Sequence, residues 1–245
     1  MSEELIRLEH VSYHYEEIPA LADLSCSISK GECIGIAGDN GCGKTTLLKL
    51  LNGLLFPDHG SWTFLGQEIN ASSMKNQKVA RTLHASIGYV FQSPEVQLFC
   101  SSVEEEIAFG PRQLGLSQAE VKKRTDDVMK MIGLENLASR PPYHLSGGEQ
   151  KKTALACVLS MNPEVLILDE PLNGLDRKSR EWMLSFLTLW KHAGKTLLIS
   201  SHDETLLRRI PERIIELSES HTIIYDGPKE DWHESERTET ASGNL

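Results

Sequence analysis

The stretch GDNGCGKT, residues 38–45, limits the folds open to this chain more than any other. It fits the spacing G-x-x-x-x-G-K-[ST]. It also joins a continuous apolar run, ECIGIAG (32–38), to a helix-like run from Lys44 to about Gly53. A glycine-rich loop between a buried strand and a helix leaves bare backbone N–H groups at the helix's positive end, which is a cradle for phosphate. Gly38, Gly41 and Gly43 let the loop curl, with Asn40, Cys42 and Thr46 completing its lining. Lys44 places its charge on the β- and γ-phosphates, and Thr45 offers its hydroxyl to Mg²⁺. The flanking elements argue against a chance glycine loop.

VLILDE, residues 165–170, supplies a matching half. Its four apolar residues predict a buried strand, and Asp169 emerges at the C-terminal end, where α/β sheets bind ligands. A carboxylate there holds Mg²⁺ directly or through water. Glu170 follows and is placed to polarise an attacking water. Taken alone, the pair also reads as a helix N-cap with an acidic neighbour.

A second anion-binding helix start lies in LSGGEQ, residues 145–150. Ser146 and Glu149 form an S-x-x-E capping box that predicts a helix beginning at Ser146. Gly147 and Gly148 in its first turn cost about 1 kcal/mol each relative to alanine, and they leave backbone that an anion can approach. An ordinary glycine-containing cap fits these residues equally well. If the end does bind phosphate, either both helix ends face one nucleotide, or two chains pair head to tail. The residues themselves leave both arrangements open.

Alternating runs at 5–15, 21–29 and 61–69 predict an antiparallel β portion. Residues 57–60, PDHG, read as a turn. Continuous apolar runs at 32–38, 86–91, 165–169 and 195–201 predict buried parallel strands, and RIIEL and TIIYDG are the last strand candidates. Between about residues 93 and 162 the spacing turns helical, with Val121, Val128, Met129 and Ile132 on one face of 117–134. RKSREWMLSFLTLWKHAG predicts a further helix ending at a glycine. The expected architecture is α/β: a phosphate-loop core with a mainly parallel sheet, an N-terminal antiparallel β-subdomain and an inserted α-helical subdomain. Residues 1–230 are expected to form one domain and 231–245 a polar tail.

A net charge of -10 argues against a nucleic-acid partner, which calls for a basic face. The five cysteines are scattered, without a C-x-x-C pair, which fits reduced thiols in a cytosolic protein. The acidic start is no signal peptide, and no apolar run approaches a membrane span. Cys42, at a helix start beside Lys44, reads equally as a thiol of lowered pKa that reacts with maleimide in competition with nucleotide and as an unreactive small residue.

GDNGCGKT, the glutamine of YVFQ (Gln92), LSGGEQ, VLILDEP, NGLD and SSHD occur in this order over nearly the whole chain. Together they resemble the ATP-binding-cassette (ABC) ATPase family. The resemblance implies a Mg²⁺-dependent ATPase that works as a dimer. Each ATP would lie between one chain's phosphate loop and the other's LSGG, where Ser146, Gly147 and Gly148 contact it. It further implies that Gln92 senses Mg²⁺ and a membrane partner, that His202 contacts the γ-phosphate, that Asp176 lies at the dimer interface, and that Tyr15 stacks on adenine. Asp39, Cys42 and Asn173 depart from residues frequent in that family, and none removes a catalytic group.

FQSPEVQLFCSSVEEEIAFGPRQLGLS, residues 91–117, discriminates further. By spacing, Val103, Ile107 and Ala108 are the buried face of a helix. Its wording is similar to the energising ATPases of energy-coupling-factor importers, which take up vitamins or cobalt and nickel ions. That similarity implies a second ATPase chain, identical or paralogous, a transmembrane coupling protein, a small substrate-binding membrane protein, and a peripheral place on the cytoplasmic face of the membrane. An ATPase of another ABC transporter, a stand-alone ABC ATPase and a non-hydrolysing regulatory subunit are the alternatives. The intact Glu170 and His202 argue against the last.

Overall fold

The computed structural model describes residues 3–232. The expected polar tail at 231–245 therefore lies almost wholly outside the described residues. Trp232 is within them and is only 3% exposed, packed with Ala37, Leu207 and Ile214.

Two sheets form the frame. The first has the order β2-β1-β4-β5 and contains β1 (Glu4–Tyr15), β2 (Ile18–Ser29), β4 (His59–Phe64) and β5 (Gln67–Glu68), all paired antiparallel. Its strands alternate because one face covers the core and the other meets water. The residues expected to form one strand at 61–69 instead make a hairpin. Leu65 and Gly66 both have positive φ, 51° and 71°, the twist that a tight two-residue connection demands. The turn expected at 57–60 gives way to strand at His59, where β4 begins to pair with β1.

The second sheet has the order β10-β9-β3-β8-β7-β6. It comprises β3 (Cys33–Ala37), β6 (Ile87–Val90), β7 (Val165–Asp169), β8 (Thr196–Ser200), β9 (Arg213–Leu217) and β10 (Ile223–Pro228). All neighbours run parallel except β10, which pairs antiparallel with β9 at the edge. β3, β7 and β8 are buried at every residue. Their side chains divide between the two faces. Val165 and Ile167 join a core with helix α1 (Lys44–Leu51) and the first sheet, and Leu166 and Leu168 join a core with the helices opposite. Covering on both faces is why these strands read as unbroken apolar runs.

Those opposing helices include α3 (Val103–Gln113), α4 (Gln118–Ile132) and α5 (Gly147–Leu159), which lie in the chain between the paired strands β6 and β7. Val121, Val128, Met129 and Ile132 are buried together with Thr125, and Val103, Ile107 and Ala108 are buried on α3. α6 (Arg177–His192) ends just before Gly194, as its sequence predicts. Two helices had no anticipated counterpart: α2 (Gln77–Ser86) and α7 (Glu204–Arg209). α2 buries only Leu83, so the sequence carries almost no apolar stripe to betray it.

Candidate functional site

The loop after β3 turns into α1 through Gly43, whose φ is 111°. A Cβ there would come within 2.3 Å of the Ala20 carbonyl oxygen, and one on Gly38 within 2.4 Å of the Leu217 carbonyl oxygen. Glycine is thus required twice, for backbone conformation and for close approach. No side chain caps α1 and no acid lies in its first turn. Its N–H groups keep their positive end free for an anion. Lys44 is buried, and its Nζ donates to the carbonyls of Gly38 and Asp39 at 2.7 and 2.9 Å. An ammonium held over the loop in this way suits a phosphate ligand.

A cleft of about 380 Å³ opens above this loop, lined by Asn40, Gly41, Gly43, Lys44, Thr45, Thr46, Gln92, Glu170, Asn173 and His202. β3, β6, β7 and β8 lie side by side, so the residues that follow their C-terminal ends converge there. Gly38 lines the neighbouring cavity of about 450 Å³ instead.

Asp169 sits behind the cleft, 2% exposed, with both carboxylate oxygens engaged. Ser200 Oγ donates to Oδ1 and Tyr89 Oη donates to Oδ2. Glu170 is 6% exposed. Its Oε1 lies 2.8 Å from His202 Nδ1 and its Oε2 accepts from Ser201 Oγ at 3.4 Å. Glu170 also has φ 47°, an uncommon left-handed value for a non-glycine residue. Sequence reasoning found Glu170 and His202 separately; their direct contact comes from the neighbouring ends of β7 and β8.

The hydroxyl of Thr45, the amide oxygen of Gln92 and the carboxylate of Asp169 are hard oxygen donors, the set that suits Mg²⁺ beside phosphate. Their chemistry, with the uncapped α1 end and the poised Lys44, fits a nucleotide and its magnesium.

Besides Gly38 and Asp169, six of the sequence-predicted residues do not line the cleft: Tyr15, Cys42, Ser146, Gly147, Gly148 and Asp176. Tyr15 is 42% exposed and meets Tyr13 edge-on with ring centroids 5.0 Å apart, while Tyr13 packs on the core. Ser146 caps α5 in the predicted capping box: it receives the Glu149 N–H, and Glu149 Oε2 accepts from the Ser146 N–H at 2.8 Å. The two glycines separate in role. A Cβ on Gly147 would meet nothing within 4 Å, but one on Gly148 would press on Ser179 Oγ at 2.4 Å. Gly148 therefore leaves no room for a side chain beside α6, whereas Gly147 has open space around it. Asp176 caps α6 by accepting from the Ser179 N–H at 2.7 Å, which holds its carboxyl below the usual range.

Cys42 follows the unreactive of its two readings. Its thiol is 2% exposed, and burial raises its pKa against the opposing pull of Lys44. The helix end faces the cleft while the sulfur points into the core beside Gly38. A reactive, nucleotide-protected thiol is not what the fold provides.

Beside the cleft lies a second, apolar groove of about 550 Å³, whose lining includes Leu54, Tyr89, Phe91, Phe99, Phe109 and Leu114. Phe99 and Phe109 are exposed and stack edge-on, centroids 5.0 Å apart. Beneath them Glu106 is buried, its Oε2 accepting the N–H groups of Phe99 and Cys100 at 2.9 and 2.6 Å. Among the described residues no helix is long and apolar enough to cross a membrane.

Residues 21–173 match the family profile described as ABC transporter. The chain is 45% identical over 222 residues to the nickel import ATP-binding protein LarO of Lactiplantibacillus plantarum, covering 91% of this chain and 92% of that protein. It is 36% identical over 242 residues to the energy-coupling factor transporter ATP-binding protein EcfA of Methanothermobacter thermautotrophicus, covering 98% and 76%. The solved structure of cbiO1 from Clostridium perfringens, described as part of the ABC transporter complex cbiONQ, superposes with a TM-score of 0.80 at 34% identity, covering 92% and 89%.

Proposed function

The chain belongs to the ABC transporter family, and from that premise we propose that it is the ATP-hydrolysing subunit of an energy-coupling-factor importer for a vitamin or for cobalt or nickel ions. The observation that carries this reading is the apolar groove beside Gln92, lined in part by the 91–117 stretch whose wording is similar to that importer class. Two exposed phenylalanines over a buried, loop-fixing carboxylate suit docked helices of a transmembrane coupling protein. Relatives named for nickel import and for energy coupling support the same class.

In this proposal the α1 N-terminus and Lys44 bind the phosphates of ATP, with Tyr15 against the base. Thr45 and Gln92 hold Mg²⁺, with Asp169 acting directly or through water. When bound, the ion neutralises charge on the β- and γ-phosphate oxygens. Glu170 orients and deprotonates the attacking water, and His202, held on Glu170 Oε1, steadies the γ-phosphate as charge develops. Ser146, Gly147 and Gly148 lie away from the cleft, so they serve the nucleotide of a second ATPase chain, identical or paralogous, with Asp176 at the interface between the two. Closure of the pair moves the coupling protein, while a separate small membrane protein selects the substrate. The chain itself sits peripherally on the cytoplasmic face of the membrane.

Purification of the tagged chain from detergent-solubilised native membranes tests the reading. A polytopic coupling protein and a small membrane protein are the expected companions. Recovery only with soluble partners would reduce the proposal to the ATPase chemistry.

A further inference from the structure

One buried cation has no part in the chemistry above. Lys151 lies just beyond the first turn of α5 and is 2% exposed. Its Nζ donates to the carbonyl oxygen of Glu170 at 3.2 Å and to that of Asn173 at 3.1 Å. The Glu170 carbonyl also accepts the Asn173 N–H at 3.2 Å, closing a tight turn. On its other side, the Glu170 N–H donates to the carbonyl oxygen and to the hydroxyl of Ser200, each at 3.1 Å. Glu170 is therefore gripped from both flanks, by β8 and by α5.

That grip has something to resist. L-residues avoid the left-handed region in which Glu170 sits, so its φ of 47° persists only where the surroundings over-determine it. The conformation also decides where the side chain points: from here Oε1 reaches His202 at the mouth of the cleft. Desolvation disfavours the charged form of a buried lysine, and the carboxylates of Glu170, Glu95 and Asp169 act in the opposite sense. An apolar side chain would fill the same space without that opposition. The ammonium instead satisfies two carbonyls of the one turn whose geometry the site depends on.

We propose that Lys151 is a positioning residue: its ammonium holds the Glu170–Asn173 turn, aims the Glu170 carboxylate, and ties that aim to α5. In a two-chain assembly the first residues of α5 face the other nucleotide. Lys151 is then the link through which engagement of Ser146 and Gly147 at one site reaches the base of the other. The inference rests on Glu170 being the base.

The test uses the full chain with Lys151→Met, Lys151→Gln and Lys151→Arg. Steady-state hydrolysis, binding of a fluorescent ATP analogue and amide hydrogen exchange are measured on each. Lys151→Met is expected to lower kcat by about tenfold or more while KM and analogue affinity stay within about twofold, the pattern of lost transition-state positioning. Lys151→Arg restores much of the rate, because it returns charged donors. Exchange over residues 170–176 rises in Lys151→Met and stays at the parental level in α1. A kcat retained within about twofold would overturn the proposal, as would loss of rate and analogue binding together. If Lys151→Met does not fold, Lys151→Gln is read by the same outcomes. In the parent chain, an unprotected Asn173 amide would by itself exclude the clamp. Faster 170–176 exchange in Glu170→Gln/Lys151→Met than in Glu170→Gln alone is expected whether or not Glu170 is the base, so the two assignments fail separately.

Discussion

The hydroxyl of Tyr89 donates to Oδ2 of Asp169 at 3.1 Å, and the ring that carries it also lines the apolar groove. Burial and the adjacent carboxylate push the phenol's pKa up, so it remains a donor throughout the working pH range. Outer partners of this kind orient a metal-binding carboxylate, and their loss typically costs about 10- to 100-fold in metal affinity or activity. Tyr89→Phe is expected to raise the Mg²⁺ concentration for half-maximal hydrolysis by about tenfold. A Mg²⁺ titration of ATPase rate reads this directly, and an unchanged midpoint would leave the hydroxyl a purely structural contact.

Glu170→Gln keeps the size of the side chain and a hydrogen-bonding partner for His202 but removes the proposed base. Hydrolysis should fall by about 10²- to 10⁴-fold, the usual contribution of a positioned acid or base. Nucleotide binding should persist and the dimer should accumulate, as seen by size-exclusion chromatography with ATP. Near-normal turnover would remove Glu170 from the mechanism.

Gly147 and Gly148 should respond differently to alanine. A Cβ on Gly148 meets Ser179 Oγ at 2.4 Å, so Gly148→Ala overpacks the α5–α6 contact and should destabilise by about 1–3 kcal/mol. Gly147→Ala meets open space, so its melting temperature should hold while hydrolysis slows. Calorimetry beside an ATPase assay separates the two, and equal destabilisation would contradict the assigned packing.

Cys42 should label slowly with maleimide in the folded chain at pH 7.5, with or without ATP, and readily in denaturant. Site-resolved mass spectrometry checks this. Rapid labelling of the native protein would mean that the loop opens far more than its burial allows.

Alkali should destabilise the fold through the same thiols. Burial pushes Cys26 and Cys33 up to about 12 and raises Cys42 and Cys157. Above the ordinary thiol pKa of about 8.5, the unfolded chain releases protons that the native chain retains, so stability falls as pH rises. Urea midpoints under reducing conditions should decline between about pH 8 and 10. Replacing these four cysteines with alanine should flatten that decline.

Much of the fold was legible because its determinants are local. VLILD and ECIGIAG read as strands because both their faces are covered, and α4 showed its helical stripe because only one of its faces is buried. α2 stayed hidden because it buries one residue, and the 61–69 hairpin because Leu65 takes a conformation expected of glycine or asparagine. Lys151 gave no indication in sequence, since a lysine near the start of a helix ordinarily faces water.

The sequence by itself determined that a phosphate-binding helix end, a strand-terminal Asp-Glu pair and a second glycine-rich helix start share one α/β chain. Those features follow from backbone chemistry over a few consecutive residues. Only the tertiary structure decided that Cys42 points inward, that Gly148 packs while Gly147 stays open, that His202 rests on Glu170, and that Lys151 reaches across from α5 to hold the turn behind it. Each of these depends on which atoms distant segments bring into contact, because burial and hydrogen-bond partners are properties of neighbours in space.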